Sequence, residues 1–223
     1  MSRAPRPAGT GRVLTGAGWA VLLLALCLWD GGGGEGPGDD PAPAHGDIAA
    51  IGRTLDAPLP PAHGPLPSAT PRRLDVPSLG VTAPVVPRGL DRTGAVDPPP
   101  YESAGSVGWF EGGTRPGARG PALFVGHVDT ASRPAVFYGL SSARPGAKVR
   151  VARSDGSVAE FTVDDVRVVP RDGFDPHQVY GPRVPGRAEL RLITCGGTFD
   201  PTVGTYTANV VVSAYLTGAT PPP

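Results

Sequence analysis

Cysteine is nearly absent from this chain: its 223 residues include two, Cys27 and Cys195. Exported domains normally use cysteines in pairs, so this count excludes a disulfide-rich framework and favours a reactive Cys195. The alternative is a buried, inert cysteine that caps a strand. An excess of charge is also missing, because 20 basic residues balance 20 acidic ones. The protein therefore has no excess positive charge that would attract nucleic acid, and we expect no nucleic-acid partner.

Glycine and proline, by contrast, are abundant, at 33 and 29 residues, while hydrophobic residues make up 39% of the chain. A chain of this composition does not bury all of its length in one core. We therefore expect a single folded domain with unpacked appendages.

An apolar run from Val13 to Trp29 predicts a membrane-targeting segment. Arg3, Arg6 and Arg12 precede the run, which favours a cytoplasmic amino terminus and an extracytoplasmic remainder. The run lies at the short edge of the roughly 17 to 25 residues that span a bilayer, so a cleaved signal peptide is the competing interpretation. We favour an uncleaved single-pass anchor in the cell membrane, because Leu26–Asp30 is too bulky for a cleavage site.

Composition divides the chain into five parts: a basic cytoplasmic segment (1–12), a transmembrane signal anchor (13–29), a tether rich in Gly, Pro and Ala (30–71), a catalytic domain (72–217) and a Pro-rich tail (218–223). The tether cannot bury enough apolar surface to offset its chain entropy.

The folded part consists of short apolar runs separated by Gly and Pro, which predicts strands. The predicted strands are Arg73–Val76, Val81–Val86, Val107–Phe110, Ala122–His127, Lys148–Arg153, Ala159–Val169, Ala188–Thr194 and Thr207–Leu216. Eight strands with short helical turns and no long helix favour a mainly β fold, closed or nearly closed into a barrel.

Two of these strands carry a reactive side chain at one end. Cys195 follows the apolar run Leu192–Thr194 and precedes two glycines, and His127 follows the run Ala122–Val125 and a glycine. Cysteine with histidine is the combination used in thiol nucleophilic catalysis. Strand alternation places Arg191 on the same face as Cys195, where it is either salt-bridged or near the reaction centre. The stretch Gly196–Pro201 is expected to be a loop.

At these residues the sequence resembles the sortases, membrane-anchored cysteine transpeptidases of Gram-positive bacteria. Leu192-Ile193-Thr194-Cys195 is similar to the Leu-x-Thr-Cys motif of that family. Gly126-His127-Val128-Asp129 and Cys195-Gly196-Gly197-x-Phe199-Asp200 resemble the actinobacterial class labelled F. The resemblance covers about residues 73 to 216 and the anchor.

The resemblance implies an eight-stranded sortase barrel in which His127 and Cys195 face each other across a groove. It implies that Cys195 attacks the Thr-Gly carbonyl of a Leu-Pro-x-Thr-Gly-like sorting signal and forms a thioacyl enzyme. An amine of a cell-wall precursor then resolves that intermediate. His127 would protonate the departing amine and later accept a proton from the incoming one.

One expected group is missing, because sortases usually carry an arginine on the strand after the cysteine. This chain has Thr207-Ala208-Asn209 there, and Asn209 is the candidate oxyanion donor in its place. Arg191 and Arg187 are alternative sources of compensation. Thr194 and Asp129 are candidate substrate-binding residues, and Asp129 is alternatively a turn cap or an orienting partner of the imidazole.

These features predict an enzyme with protein substrates that bear a sorting signal, an amine acceptor such as a peptidoglycan precursor, and no cofactor. No acidic cluster indicates a metal. The alternatives are a catalytically weak or inactive sortase-like binding domain and a secreted cysteine hydrolase without transfer activity.

Overall fold

The computed structural model describes residues 58–92, 95–172 and 175–222. Within these ranges eight strands form a closed barrel in the order β1-β2-β3-β4-β7-β8-β6-β5, with β5 pairing back to β1. The strands are β1 (Pro71–Val76), β2 (Val81–Arg88), β3 (Val107–Phe110), β4 (Gly120–Val125), β5 (Lys148–Arg153), β6 (Val158–Pro170), β7 (Ala188–Asp200) and β8 (Thr205–Thr220). A short helix α1 (Pro176–Tyr180) and single 3-10 turns at Pro77–Leu79, Tyr101–Ser103 and Leu140–Ser142 lie between the strands.

The predicted mainly β, eight-stranded barrel is confirmed. The bounds of β3 and β5 agree with the prediction, whereas β6 and β8 extend further at both ends. Two neighbouring pairs, β2 with β3 and β4 with β7, are parallel, and the other pairs are antiparallel. The parallel pairing of β4 with β7 is the one that matters for function, because it aligns the two strand ends that carry His127 and Cys195.

The barrel interior is filled by alternate residues of the strands. On β7, Leu190 and Leu192 point inward, and their register partners on β8, Ala214 and Val212, lie in the same core. The core contains Trp109, and its largest fully buried side chains are phenylalanines and leucines: Phe124, Phe137, Phe161, Leu74, Leu140, Leu190, Leu192 and Leu216. Burying each of these contributes about 1.5 to 3 kcal/mol. The side chains on the opposite faces of β7 and β8 lie outside this core.

The predicted loop at Gly196–Pro201 is wrong. Strand β7 continues to Asp200 and β8 begins at Thr205, so the two strands form an antiparallel ribbon beyond Cys195. A register shift between Gly196 and Phe199 marks a bulge, which increases the local twist. Two glycines and a proline in this stretch favoured a loop on local grounds, and the pairing with β8 overrides that preference.

The end of the predicted tether also differs from expectation, because residues 58–70 lie along the barrel as an extended N-terminal strap. Backbone hydrogen bonds join His63 to Leu216 (2.8 Å), Leu66 to Gly117 (2.7 Å) and Ser154 to Thr70 (2.8 Å), and the Tyr215 hydroxyl donates to the Pro60 carbonyl (2.6 Å). These bonds use main-chain groups, which composition does not report. The rest of the tether, residues 30–57, lies outside the described residues.

The strap contacts the end of the barrel opposite to Cys195. Cys195 pairs in register with Asn209, and Glu189 with Tyr215. Six residues of strand, about 20 Å, separate these two levels. We call them the Cys195 end and the Glu189 end. None of the helices in the described ranges is long and apolar enough to cross a membrane. The predicted anchor, residues 13–29, lies outside those ranges.

Candidate active site

The parallel pairing of β4 and β7 brings the two reactive positions to the same level. Val125 is the register partner of Ile193, and the Gly126 amide donates to the Ile193 carbonyl at 3.1 Å. His127 and Cys195 each follow two residues after this last register pair, so the two strand ends that lead to them are adjacent.

Gly126 makes the turn into His127 possible. A Cβ atom at this position would approach Phe137 at 2.7 Å and Val136 at 2.8 Å, closer than side chains tolerate. Phe137 in turn donates its amide to the His127 carbonyl at 3.0 Å. The glycine therefore lets the segment after β4 pack tightly against the core, which fixes where the imidazole begins.

The His127 ring is held on one face and at one edge. The ring of Tyr101 stacks on it, with centroids 4.3 Å apart and planes inclined by 22°. Its Nε2 lies 2.6 Å from the carbonyl oxygen of Pro99. A carbonyl only accepts, so Nε2 carries the proton of this hydrogen bond and Nδ1 is the nitrogen left to exchange one.

Burial is the main influence on the charge of His127, whose exposed fraction is 6%. Desolvation lowers its pKa below the ordinary histidine value, and the Pro99 hydrogen bond and the Asp129 charge only partly oppose this. The neutral imidazole is therefore favoured at neutral pH.

Cys195 lies on the outer face of the barrel, in a second apolar cluster separate from the main core. Strand alternation puts it on the same side of β7 as Ile193, and only 6% of it is exposed. The cluster consists of Val96, Val125, Val128, Ile193, Cys195, Tyr206 and Val211. Cys195 is thus largely shielded from bulk water.

Asn209 is the register partner of Cys195 on β8, so the two side chains leave the sheet on the same face. The side chain is completely buried, and neither its amide nitrogen nor its amide oxygen has a hydrogen-bond partner among the residues that the structure describes. An unsatisfied buried polar group costs about 1 to 3 kcal/mol. Such a group next to a nucleophile has hydrogen-bonding capacity available for a ligand.

Asp129 is joined to the same cluster through Tyr206. The Tyr206 hydroxyl donates a short hydrogen bond to the Asp129 carboxylate. Burial and this carboxylate together raise the pKa of Tyr206 well above the ordinary tyrosine value, so the phenol stays protonated. The bond connects the loop after β4 to the start of β8, across the mouth of the site.

Comparison with known protein families identifies the family of this chain. The family model described as the sortase domain matches residues 74–217, which is most of the barrel. The chain belongs to the sortase family. It is therefore an enzyme of the cysteine transpeptidase type.

Solved sortase structures share the fold at low sequence identity. The pilus-related sortase C of Group B Streptococcus is 19% identical, with a TM-score of 0.50 over 68% of this chain and 69% of that one. Sortase A of Listeria monocytogenes is 16% identical, with a TM-score of 0.51 over 68% of this chain and 90% of that one. Comparison with curated proteins gives no significant match.

Arg191, offered by the sequence as a residue near the reaction centre, points away from it in this sortase. Its guanidinium bonds the Glu189 carboxylate at 2.6 Å and the carbonyls of Gly181, Val179 and Leu190. Glu189 lies two residues further from Cys195 along β7. The salt-bridged alternative therefore describes Arg191, which fastens the segment after α1 to the barrel.

Arg187 and Thr194 also serve the frame of the barrel. The guanidinium of Arg187 bonds Asp164 and Glu189 at 3.1 and 3.0 Å, so it too is at the Glu189 end. The hydroxyl of Thr194 donates to the Gly126 carbonyl at 2.8 Å. That bond holds the residue before His127 against the residue before Cys195, so Thr194 acts on the site through the backbone.

Sequence reasoning missed the residues that surround the imidazole. Pro99 and Tyr101 lie 28 and 26 positions before His127 along the chain, in a segment between β2 and β3 that carries no periodic pattern. Tyr206 was assigned to no role. Three prolines before Tyr101 are the only local signal, because they stiffen the segment that positions its ring.

Proposed function

We propose that this protein is a membrane-anchored sortase, similar to class F, that cleaves a Leu-Pro-x-Thr-Gly-like sorting signal and transfers the cleaved protein to a cell-wall amine. The observation that supports the proposal is the parallel pairing of β4 with β7, whose last register pair precedes His127 on one strand and Cys195 on the other by two residues. Membership of the sortase family supports the reaction type.

In the proposed first step, the Cys195 thiolate attacks the carbonyl carbon of the scissile peptide bond. The carbon–nitrogen bond breaks, and the His127 imidazolium gives its proton to the departing amine. A thioacyl enzyme and a neutral imidazole remain. The reaction needs a thiolate and an imidazolium, and the burial that lowers the pKa of His127 disfavours the imidazolium. Substrate that excludes water from the cleft strengthens the attraction between the two charges.

We assign the stabilisation of the oxyanion to Asn209. Its amide nitrogen is the buried donor on the same face as Cys195, and it has no hydrogen-bond partner within the described ranges. An amide contributes one neutral hydrogen bond where an arginine offers a charged pair. The enzyme is therefore expected to be slower than sortases that carry the arginine.

A thioacyl assay tests the proposed reaction directly. The full-length protein is incubated with a sorting-signal peptide and hydroxylamine, which resolves a thioacyl enzyme to a hydroxamate. Cys195→Ala is expected to abolish hydroxamate formation, and Cys27→Ala, the matched change at the other cysteine, is expected to leave it intact. Wild-type turnover no faster than that of Cys195→Ala would refute the proposal.

The missing arginine gives one alternative a specific basis, namely a sortase-like domain that holds sorting-signal peptides without cleaving them. In that case the peptide binds wild-type protein and Cys195→Ala equally, and no thioacyl species forms. A cysteine hydrolase differs in its product, because it releases the free acid even when an amine acceptor is present.

Membrane anchoring is the part of the proposal that rests on residues 13–29 alone. The full-length protein is expected in the membrane fraction of expressing cells, with its barrel accessible to protease from outside. Removal of residues 1–29 is expected to release the protein.

A further inference from the structure

The second half of the proposed reaction needs an amine, and primary amines are mostly protonated at neutral pH. An acceptor therefore arrives as an ammonium ion, which must be held near His127 and lose a proton before it can attack. A site for it needs a negative charge close to the imidazole. This inference rests on the proposed transpeptidation.

Asp129 supplies such a charge. It lies two residues after His127, is partly exposed, and is fixed by the short hydrogen bond from the Tyr206 hydroxyl. Within the described parts of the chain no lysine or arginine pairs with its carboxylate. One carboxylate oxygen is thus held by a phenol, and none of the described lysines or arginines neutralises the negative charge.

Two aromatic rings lie near this carboxylate. Tyr206 bonds it directly, and Tyr101 stacks on the neighbouring imidazole with 43% of its own surface exposed. The Asp129 charge raises the pKa of both tyrosines, which places both within its electrostatic reach. Aromatic faces beside a carboxylate are the surroundings that attract ammonium ions.

The alternative role, in which Asp129 orients the imidazole as a triad carboxylate does, fits the contacts less well. The Nε2 edge of His127 is already held by the Pro99 carbonyl, and the carboxylate of Asp129 is bonded to Tyr206. We propose that Asp129, flanked by Tyr101 and Tyr206, binds the cationic amino group of the acceptor beside His127.

The resolving step balances as follows. The bound ammonium releases one proton to solvent and becomes the nucleophile. Its nitrogen attacks the thioacyl carbonyl carbon, the carbon–sulfur bond breaks, and the electron pair returns to the Cys195 sulfur. The second nitrogen proton passes to Nδ1 of His127, which restores the thiolate and the imidazolium.

The test compares a cationic acceptor with a neutral one. Full-length protein, loaded with a sorting-signal peptide, is resolved with triglycine, whose amino group is largely protonated at neutral pH, or with hydroxylamine, which is largely neutral. Asp129→Asn is expected to lower the second-order rate constant for triglycine about fivefold, the scale of a partly screened ion pair. The rate with hydroxylamine is expected to stay the same. High salt should shrink the difference.

Two variants control the experiment. Asp75→Asn removes the same charge from β1, where Asp75 pairs with Arg73 at 3.1 Å, and is expected to leave both rates unchanged. Asp129→Glu restores the charge and is expected to recover part of the triglycine rate. Equal losses with both acceptors would overturn the acceptor site in favour of a role through His127, and no loss with triglycine would overturn it outright.

A binding measurement separates this inference from the proposed reaction. Triglycine added to Cys195→Ala is expected to shift the NMR signals of Tyr101 and Tyr206, and the shifts should vanish in the Cys195→Ala, Asp129→Asn double variant. If wild-type protein forms no thioacyl enzyme but these shifts occur, the reaction is refuted and the amine site stands. Shifts that persist in the double variant would refute the site.

Discussion

Buried polar groups at the two ends of β7 and β8 differ in whether their hydrogen bonds are satisfied. At the Glu189 end, the fully buried Glu189 carboxylate accepts from the amides of Arg183 and Val184 and from the guanidinium groups of Arg187 and Arg191. At the Cys195 end, the equally buried amide of Asn209 has no hydrogen-bond partner in the described part of the chain. The same sheet therefore satisfies its buried polar groups at the Glu189 end and leaves one unsatisfied beside the proposed nucleophile.

This difference separates buried polar residues that stabilise the fold from those that are available to take part in the reaction. Burial pushes the pKa of Glu189 up, but the hydrogen bonds to its carboxylate outweigh this and hold the pKa below the ordinary glutamate value. The hydrogen bonds of that carboxylate are therefore satisfied, and it stabilises the barrel. The unsatisfied amide of Asn209 destabilises the folded state. We propose that it forms its hydrogen bond only when substrate is bound.

Breaking the Glu189 end is expected to have the largest effect. Arg191→Ala leaves the Glu189 carboxylate buried without its closest partner, which is expected to cost about 3 to 5 kcal/mol of unfolding free energy. Chemical denaturation measures the loss. Arg167→Ala on β6, whose side chain is 61% exposed, is the matched control and is expected to change stability by less than about 1 kcal/mol.

A soluble Arg191→Ala protein with wild-type stability would contradict the assignment of this residue to the frame. If the variant does not fold, Arg191→Lys provides the measurement instead. Lysine keeps the charge but loses the planar fork that bonds several acceptors, so an intermediate loss is expected.

Breaking the Cys195 end is expected to remove rate and not stability. Asn209→Leu has a similar shape without the amide and is expected to slow thioacyl formation roughly a hundred- to a thousandfold, or about 2.7 to 4 kcal/mol. Because the amide is unsatisfied in the folded protein, the unfolding free energy is expected to stay the same or to rise. Single-turnover kinetics and denaturation are measured on the same preparation.

A loss of stability with unchanged thioacyl formation would reverse the comparison between the two ends. It would mean that Asn209 is a structural residue and that another donor meets the oxyanion.

A smaller effect is expected from the N-terminal strap. Tyr215→Phe removes the hydroxyl that donates to the Pro60 carbonyl at 2.6 Å and keeps the ring that packs under the Arg187 guanidinium. The expected cost is about 1 kcal/mol of unfolding free energy, with thioacyl formation unchanged. A change in rate would show that the strap, despite its position at the Glu189 end, influences the site.

The smallest effect concerns the pKa of His127. Burial is the main cause of its lowering, and Tyr101 covers one face of the ring. Tyr101→Ala is therefore expected to raise the pKa of His127 towards the ordinary histidine value, about 6.5. Tyr101→Phe, which keeps the stack, is expected to leave it low. An NMR titration measures both, with the signal assigned by its absence in His127→Gln. Equal pKa values in all three proteins would show that the stack does not control the charge.

The sequence predicts the barrel well, because alternation and turn residues within each short segment set the strands. It also selects Cys195 and His127, since each follows an apolar run and carries chemistry that such runs do not need for packing. The position of one strand end relative to the other depends on the register of β4 against β7. The hydrogen bonds of Gly126 and Thr194 set that register across 68 positions of sequence.

The parts that sequence reasoning missed share one physical cause, which is that they depend on partners far away along the chain. The pairing of β7 with β8 beyond Cys195, the docking of the strap and the aromatic cover of His127 are all non-local contacts. The ambiguity at Arg191 has the same origin. Strand alternation gives its face, but only the position of Glu189 and the carbonyls after α1 decides which way its guanidinium turns.

The docking of the N-terminal strap has a consequence for how the enzyme meets its substrates. The chain enters the folded unit beside Leu216, so the height of the barrel stands between that entry point and the cleft. Tension on the amino terminus would load the main-chain bonds at the base and leave the cleft unstressed. Cys195 therefore lies at the end of the barrel remote from the point where the chain enters the folded unit.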